Sequence, residues 1–181
     1  MRKAKLSRKT SETNIEVKLN IDGKGRSKIK TSLPFLDHML TIFAKHGMFD
    51  LTVRCKGDLP HHIKEDIGIV LGKAFKKALK EKIGIKRYGQ RLLPMDETLY
   101  LCAVDLSGRP YLITDVEEYY DFFYAFAINA EINIAFKIYE SRNEHHNIEA
   151  MFKSLARALR EACEKDKRET GIASTKGRLN N

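Results

Sequence analysis

Two short runs in this 181-residue chain carry the residue types that hold metal ions: HHIKE at positions 61–65 and HHNIE at positions 145–149. Together they contain four of the six histidines. Residues three and four apart share one face of an α-helix, so each HHxxE copy can aim one or two imidazoles and a carboxylate at one point. Imidazole with carboxylate is a ligand set for Zn, Mn, Fe or Ni, and unlike thiolates it needs no redox protection. Two clusters predict two metal sites, or one site built from two similar halves. A single HHxxE in a lysine-rich helix would be ordinary surface composition. The repetition argues against that, because DIGIVLGKAFKKALKEKIG follows the first copy and AMFKSLARALREACEKDKR the second. Both continuations place apolar residues at helical spacing.

The surrounding elements must position these clusters. Ile15, Val17, Leu19 and Ile21 alternate ahead of Asp22-Gly23, which predicts a β-hairpin across that turn. FLDHMLTIFAKHG reads as a helix closing at Gly47, FDLTVRC as a strand, and GDLP as a turn into the first HHxxE helix, which runs to about Lys82. The second half repeats this order. Residues 98–104 and 111–116 read as a hairpin turning at SGRP, 119–129 as a helix and 132–139 as a strand, before SRNE leads into the second HHxxE helix. Asp37 to His62 spans the same interval as Asp121 to His146, an ungapped match that predicts internal duplication. The expected class is α+β: two duplicated halves, 1–92 and 93–181, each a small sheet covered on one face by helices, packed as one compact unit. The polar tail GIASTKGRLNN reads as a loop that folds over a site.

Composition narrows the function classes. Apolar content of 43% and charged content of 31% suit a globular domain with a proper core. No apolar run approaches a membrane span, and MRKAKLSRKT lacks the apolar core of a signal peptide, so the expected setting is cytoplasmic, with no membrane partner. Cys55, Cys102 and Cys163 are scattered, show no CxxC spacing, and read as buried small apolar residues. The formal charge of +9 raises nucleic acid as a partner, but much of it sits on a helical face at Lys73, Lys76, Lys77, Lys80 and Lys82, and no nucleic-acid motif accompanies it. A phosphorylated substrate would also favour basic side chains, and the reading is no nucleic acid.

Eight segments taken in order, SETNIEV, LPFLDHML, KHGMFDL, HHIKEDIGI, RYGQRLLPMDETL, DLSGRP, NEHHNIEAMFKSLARAL and STKG, resemble the imidazoleglycerol-phosphate dehydratases, enzymes of histidine biosynthesis. The resemblance covers residues 8–177. It implies duplicated α+β halves, a cubic 24-subunit shell with sites shared between neighbouring subunits, and two Mn ions per active site, with Zn, Ni or Co as substitutes. The implied reaction is loss of water from imidazoleglycerol phosphate to give imidazole acetol phosphate. The hydrogen removed lies on a carbon without a carbonyl, so the imidazole ring must take up the charge, and metals serve as Lewis acids and templates. Alternative readings are a metal-dependent hydrolase, a catalytically impaired relative and a basic RNA-binding module.

The resemblance also assigns residues. His38, His61, His62, Glu65, His145, His146 and Glu149 match metal ligands, and Glu12, Asp96 and Glu97 match acid/base groups. His46, Arg87, Arg109, Lys153, Ser174 and Lys176 match substrate or phosphate contacts. Asp37 and Asp66 are candidates to orient ring nitrogens. Three positions depart from the family pattern: Ala135 stands where a ligand histidine is usual, GDLPHH is short, and Ile42 replaces a common glutamine.

Overall fold

A computed structural model describes residues 1–179 of the chain. Among them the first half builds β1 (Lys3–Lys9), β2 (Thr13–Asn20), β3 (Ser27–Lys30), α1 (Pro34–Gly47), β4 (Asp50–Gly57) and α2 (Pro60–Leu79). The second half builds β5 (Tyr88–Met95), β6 (Thr98–Asp105), β7 (Tyr111–Ile113), α3 (Tyr120–Ala130), β8 (Asn133–Glu140) and α4 (Glu144–Cys163). The two sheets share one topology, β1-β2-β4-β3 and β5-β6-β8-β7, each with three antiparallel strands and a last strand parallel to its neighbour. The α+β class and the duplication stand as expected.

Three details differ from the sequence reading. β2 and β3 do not form a hairpin at Asp22-Gly23; β4 lies between them, and the partner of β2 is β1. Likewise β6 and β7 are separated by β8, so SGRP does not close a hairpin. The edge strands β1 and β5 carry little apolar alternation, β1 exposing Lys3, Lys5, Ser7 and Lys9, so periodicity did not reveal them. The third difference follows from the second edge strand. β5 begins at Tyr88 and belongs to the second sheet, so the break between halves falls before Tyr88 and not at 92/93.

The helices of each half lie on the inner face of their own sheet and pack against those of the other half, α2 on α3 and α1 on α4. Alternation turns Ile15, Val17 and Leu19 of β2 and Leu51, Val53 and Cys55 of β4 inward, and one buried cluster spans both halves. The α2/α3 seam is tight, since a Cβ at Gly68 would lie 2.5 Å from the Phe122 carbonyl oxygen. Cys55, Cys102 and Cys163 are buried free thiols, and burial pushes the Cys55 thiol up to about 11 and the Cys163 thiol to about 12. They supply no thiolate at neutral pH. No helix among the described residues is long and apolar enough to cross a membrane.

Candidate active site at the helix ends and the C-terminal cavity

Both HHxxE pairs sit in the first turn of a long helix. Pro60 starts α2, where a missing N–H costs nothing, and the Asn143 side chain caps α4 by accepting from the His146 backbone N–H at 3.3 Å. In the first half the His62 Nδ1 lies 2.8 Å from Asp58 Oδ1, and its Nε2 lies 4.0 Å from Glu12 Oε1. Glu12 belongs to the β1–β2 turn, whose carbonyl at the same residue accepts from the Asp58 backbone N–H at 3.1 Å. The hydrogen bond to Asp58 raises the His62 pKa, with Glu12 and Asp66 adding to it. His61 packs edge-on against His62 with ring centroids 4.1 Å apart.

The second half repeats the pattern with different residues. Asp96-Glu97 forms the two-residue turn between β5 and β6, with Asp96 at a positive φ of 48°, a conformation that Asp tolerates. His146 Nδ1 is 2.9 Å from Glu97 Oε1 and its Nε2 is 3.9 Å from Asp96 Oδ2. One ligand atom from each of Asp96, Glu97 and His146 falls within 4.8 Å of the others, close enough to share one ion.

A third group lies along the α1/α4 seam. His145 Nε2 is 3.3 Å from Glu149 Oε2, and the Lys153 ammonium donates to Glu149 Oε1 at 2.6 Å. Burial alone would raise the Glu149 carboxyl, but Lys153, His38 and His145 hold it below the usual range. His46 is half-buried, and desolvation with Arg157 and Lys153 nearby lowers its pKa. His38 and Glu65 are exposed on α1 and α2.

The remaining candidates gather elsewhere. Arg87, Arg109, Ser174 and Lys176 line a cavity of about 700 Å³ at the C-terminal loop, joined by Ser107, Arg178 and Glu169. Its four cations against one carboxylate suit a phosphate. Arg87 is buried, however, and its guanidinium is already paired with Asp105 at 2.7 and 3.1 Å while donating to the Ala173 carbonyl at 2.7 Å. It braces the loop that carries Ser174 and Lys176. The tail therefore does fold over a cavity, although Asn180 and Asn181 lie outside the described residues.

Asp37 and Asp66 do not orient imidazoles. Asp37 accepts from the Thr31 backbone N–H and hydroxyl, and buried Asp66 is taken by Arg8 and Thr13. Sequence reasoning missed Asp58, whose signal was its place four residues before His62 in the short GDLPHH turn. It also missed Arg178, two residues past STKG. Ala135 lies on β8 between Ala103 and Ile113, on the sheet face turned away from the helices, so a side chain there meets neither HHxxE pair of its own chain.

Comparison with known proteins identifies the family and the fold. A family model for imidazoleglycerol-phosphate dehydratase matches residues 31–159. The curated imidazoleglycerol-phosphate dehydratase of Lachnoclostridium phytofermentans is 54% identical over 191 positions covering 97% of each chain, and that of Acetivibrio thermocellus 52% identical over 98% of this chain and 99% of its own. The 191 positions exceed the chain's own 181 residues, so the first relative carries residues that this chain lacks. Crystal structures of the enzymes from Pyrococcus furiosus and Staphylococcus aureus align with TM-scores of 0.82 and 0.81 at 38% and 36% identity, covering 96% and 91% of this chain and 100% and 99% of theirs. This chain belongs to the imidazoleglycerol-phosphate dehydratase family.

Proposed function

We propose that the chain is a metal-dependent hydro-lyase that removes water from imidazoleglycerol phosphate, giving imidazole acetol phosphate in histidine biosynthesis. The observation that carries this reading is the pairing, in both halves, of the second HHxxE imidazole with a carboxylate from a strand turn, Glu12 at 4.0 Å and Asp96 at 3.9 Å. Family membership supplies the substrate. The donor set fits Mn, since imidazole and carboxylate oxygen stand together in each group and no thiolate intrudes. His38, His61, His62, Glu65, His145, His146 and Glu149 would hold the ions; when bound, Mn supplies Lewis acidity to the imidazole ring and a template for the substrate. Zn, Ni or Co could occupy the same donors.

The protein's own groups do the rest. Glu12, Asp96 and Glu97 carry carboxylates placed to take or return a proton beside the imidazoles. Arg109, Lys176, Ser174 and Arg178 hold the phosphate, and Arg87 positions their loop. Lys153 fixes the Glu149 carboxylate, and His46, whose pKa is lowered first by burial, lies within electrostatic reach of both.

A homo-oligomer with shared sites is part of the proposal. The phosphate cavity lies at the Arg87 end of the β5–β6 hairpin and the Asp96-Glu97 turn at the other, roughly 25 Å away at about 3.3 Å per residue. A single ring with a three-carbon phosphate tail cannot reach both within one subunit. The resemblance sets the expected count at 24 subunits, and membership of a biosynthetic enzyme family makes the cytoplasm the proposed setting.

The test is turnover of imidazoleglycerol phosphate by metal-stripped protein with and without Mn, with product mass and metals per subunit measured together. Mn-dependent formation of a product one water lighter supports the proposal. Cleavage of the substrate would replace it with the hydrolase, and assembly without turnover would leave an impaired relative.

A further inference from the structure

The duplicated halves do not superpose with a single offset. The buried faces of α2 and α4 coincide under a shift of 84 residues, which matches His61 with His145 and Glu65 with Glu149. For α1 and α3 the shift is 83. Met39, Leu40, Ile42, Phe43, Ala44 and Gly47 fall on Phe122, Phe123, Ala125, Phe126, Ala127 and Ala130, all buried. Both helices end in a left-handed cap, Met48 and Glu131, whose N–H groups reach Ala44 and Lys45 in one and Ala127 and Ile128 in the other. The equal intervals of the sequence reading had set Asp121 against Asp37. In the structure Asp121 answers His38, and both side chains are exposed.

The neighbours repeat as well. α1 lies on α4, within electrostatic reach of Glu149 from His38. α3 lies on α2, with the Phe122 carbonyl against Gly68 and the Lys64 ammonium 4.8 Å over the Tyr119 ring, so the start of α3 runs along the turn of α2 that holds Glu65. The set His38, His145 and Glu149 therefore has a counterpart in Asp121, His61 and Glu65.

We propose that Asp121 is a metal ligand in this chain, giving two unequal sets beside the His62 and His146 imidazoles: His38, His145 and Glu149, with two imidazoles and a carboxylate, and Asp121, His61 and Glu65, with one imidazole and two carboxylates. No histidine at position 135 is then needed. Oxygen donors suit Mn, whereas imidazole favours Zn and Ni, so the Asp121 site is the harder of the two and the more selective for Mn. This inference rests on the metal-dependent reading of the protein.

Metal-stripped wild type, Asp121→Asn, Asp121→His and the control Glu117→Gln are titrated with Mn and then challenged with Ni. Elemental analysis gives metals per subunit, and Mn electron paramagnetic resonance gives affinity; melting curves check folding. The wild type and control are expected to bind two Mn, with Ni displacing one more readily than the other. Asp121→Asn should weaken one Mn by about 10- to 100-fold, and Asp121→His should let Ni displace both alike. Unchanged Mn affinity in Asp121→Asn, with the Ni order unchanged in Asp121→His, would overturn the assignment while leaving metal dependence standing. A wild type that binds no metal would instead remove the metal reading itself, and Asp121 with it.

Discussion

Across the outer face of the first sheet runs the row Lys5, Lys18, Thr52 and Lys28, while the matching row of the second sheet is Gln90, Ala103, Ala135 and Ile113. One step along, Ser7, Glu16 and Arg54 face Leu92, Leu101 and Lys137. Leu92 and Ile113 are each 53% exposed and Tyr111 is 61% exposed. One backbone plan thus carries a face made for water and a face made to be covered, and a contiguous apolar face marks association. Under the proposed homo-oligomer with shared sites, another copy of the chain covers this face.

The largest effect is therefore expected from making the second face like the first. Leu101→Glu copies Glu16 and places a carboxylate in the interface beside Lys137, whose ammonium is already held by Asp115, and burying that charge costs at least about 2 kcal/mol per contact. Light scattering should show small species in place of the assembly, and turnover should fall by about 100-fold or more. The reverse change, Glu16→Leu, should leave both within about twofold. If Leu101→Glu assembles like the parent, the apolar face is not the contact.

The halves also differ in what holds the second histidine. His62 leans on Asp58, four residues earlier in its own helix turn, and His146 on Glu97, delivered by a separate hairpin. Partners that orient a ligand imidazole are worth roughly 10- to 100-fold in metal affinity or activity. Asp58→Ala and Glu97→Ala are each expected to fall in that range, with Glu97→Ala the more severe because Glu97 also joins Asp96 and His146 in one three-ligand group. Mn titration of both variants, alongside kcat, checks the ranking; equal and negligible losses would show that neither carboxylate steadies its ring.

The long helices and the central strands were legible because α2, α4, β2 and β8 bury apolar residues at regular spacing. The edge strands were not, since β1 shows mostly lysines to solvent. Nor could spacing reveal that β3 and β7 run parallel to β4 and β8, because that pairing is set by a crossover through α1 or α3. At the site, the residue types were readable from HHxxE, SETNI and PMDE. Which carboxylate meets which imidazole was not, because Asp58 and Glu97 reach equivalent nitrogens from unrelated places. The slip of one residue between α1 and α3 hid Asp121 for the same reason: sequence intervals stayed equal while the helices did not.

A smaller contrast lies in the helix seams. α2 has Gly72 where α4 has Ala156, and a Cβ at Gly72 would sit 2.7 Å from the Phe126 carbonyl oxygen. Gly72→Ala makes the halves alike in sequence but forces α3 outward. Overpacking costs about 1–3 kcal/mol, partly offset by the roughly 0.8–1 kcal/mol that Ala gains over Gly in a helix. Urea unfolding at fixed protein concentration should show a net loss of about 1 kcal/mol. A gain in stability would mean the α2/α3 seam is slack.

The smallest expected effect concerns Asp50, whose counterpart in the second sheet is Asn133. Asp50 accepts from the Lys24 and Arg26 backbone N–H groups at 3.0 and 3.2 Å and pairs with the Arg26 guanidinium at 2.8 Å. The Arg26 guanidinium first, then these N–H groups, hold its carboxyl well below the usual carboxylate range. A carboxyl depressed on folding stabilises the protein above its unfolded pKa, about 3.9, and loses that contribution as pH falls toward the folded value. Asp50→Asn keeps one acceptor oxygen and removes the charge, so its cost at pH 7 should stay below about 1 kcal/mol, the range of exposed ion pairs. Urea unfolding at pH 7 and pH 3 checks the sign: the gap between wild type and variant should be steady above pH 5 and shrink below pH 4. A gap that persists at pH 3 would mean that Asp50 acts through geometry alone, and that the loop of the first half, like that of the second, needs no charge to close.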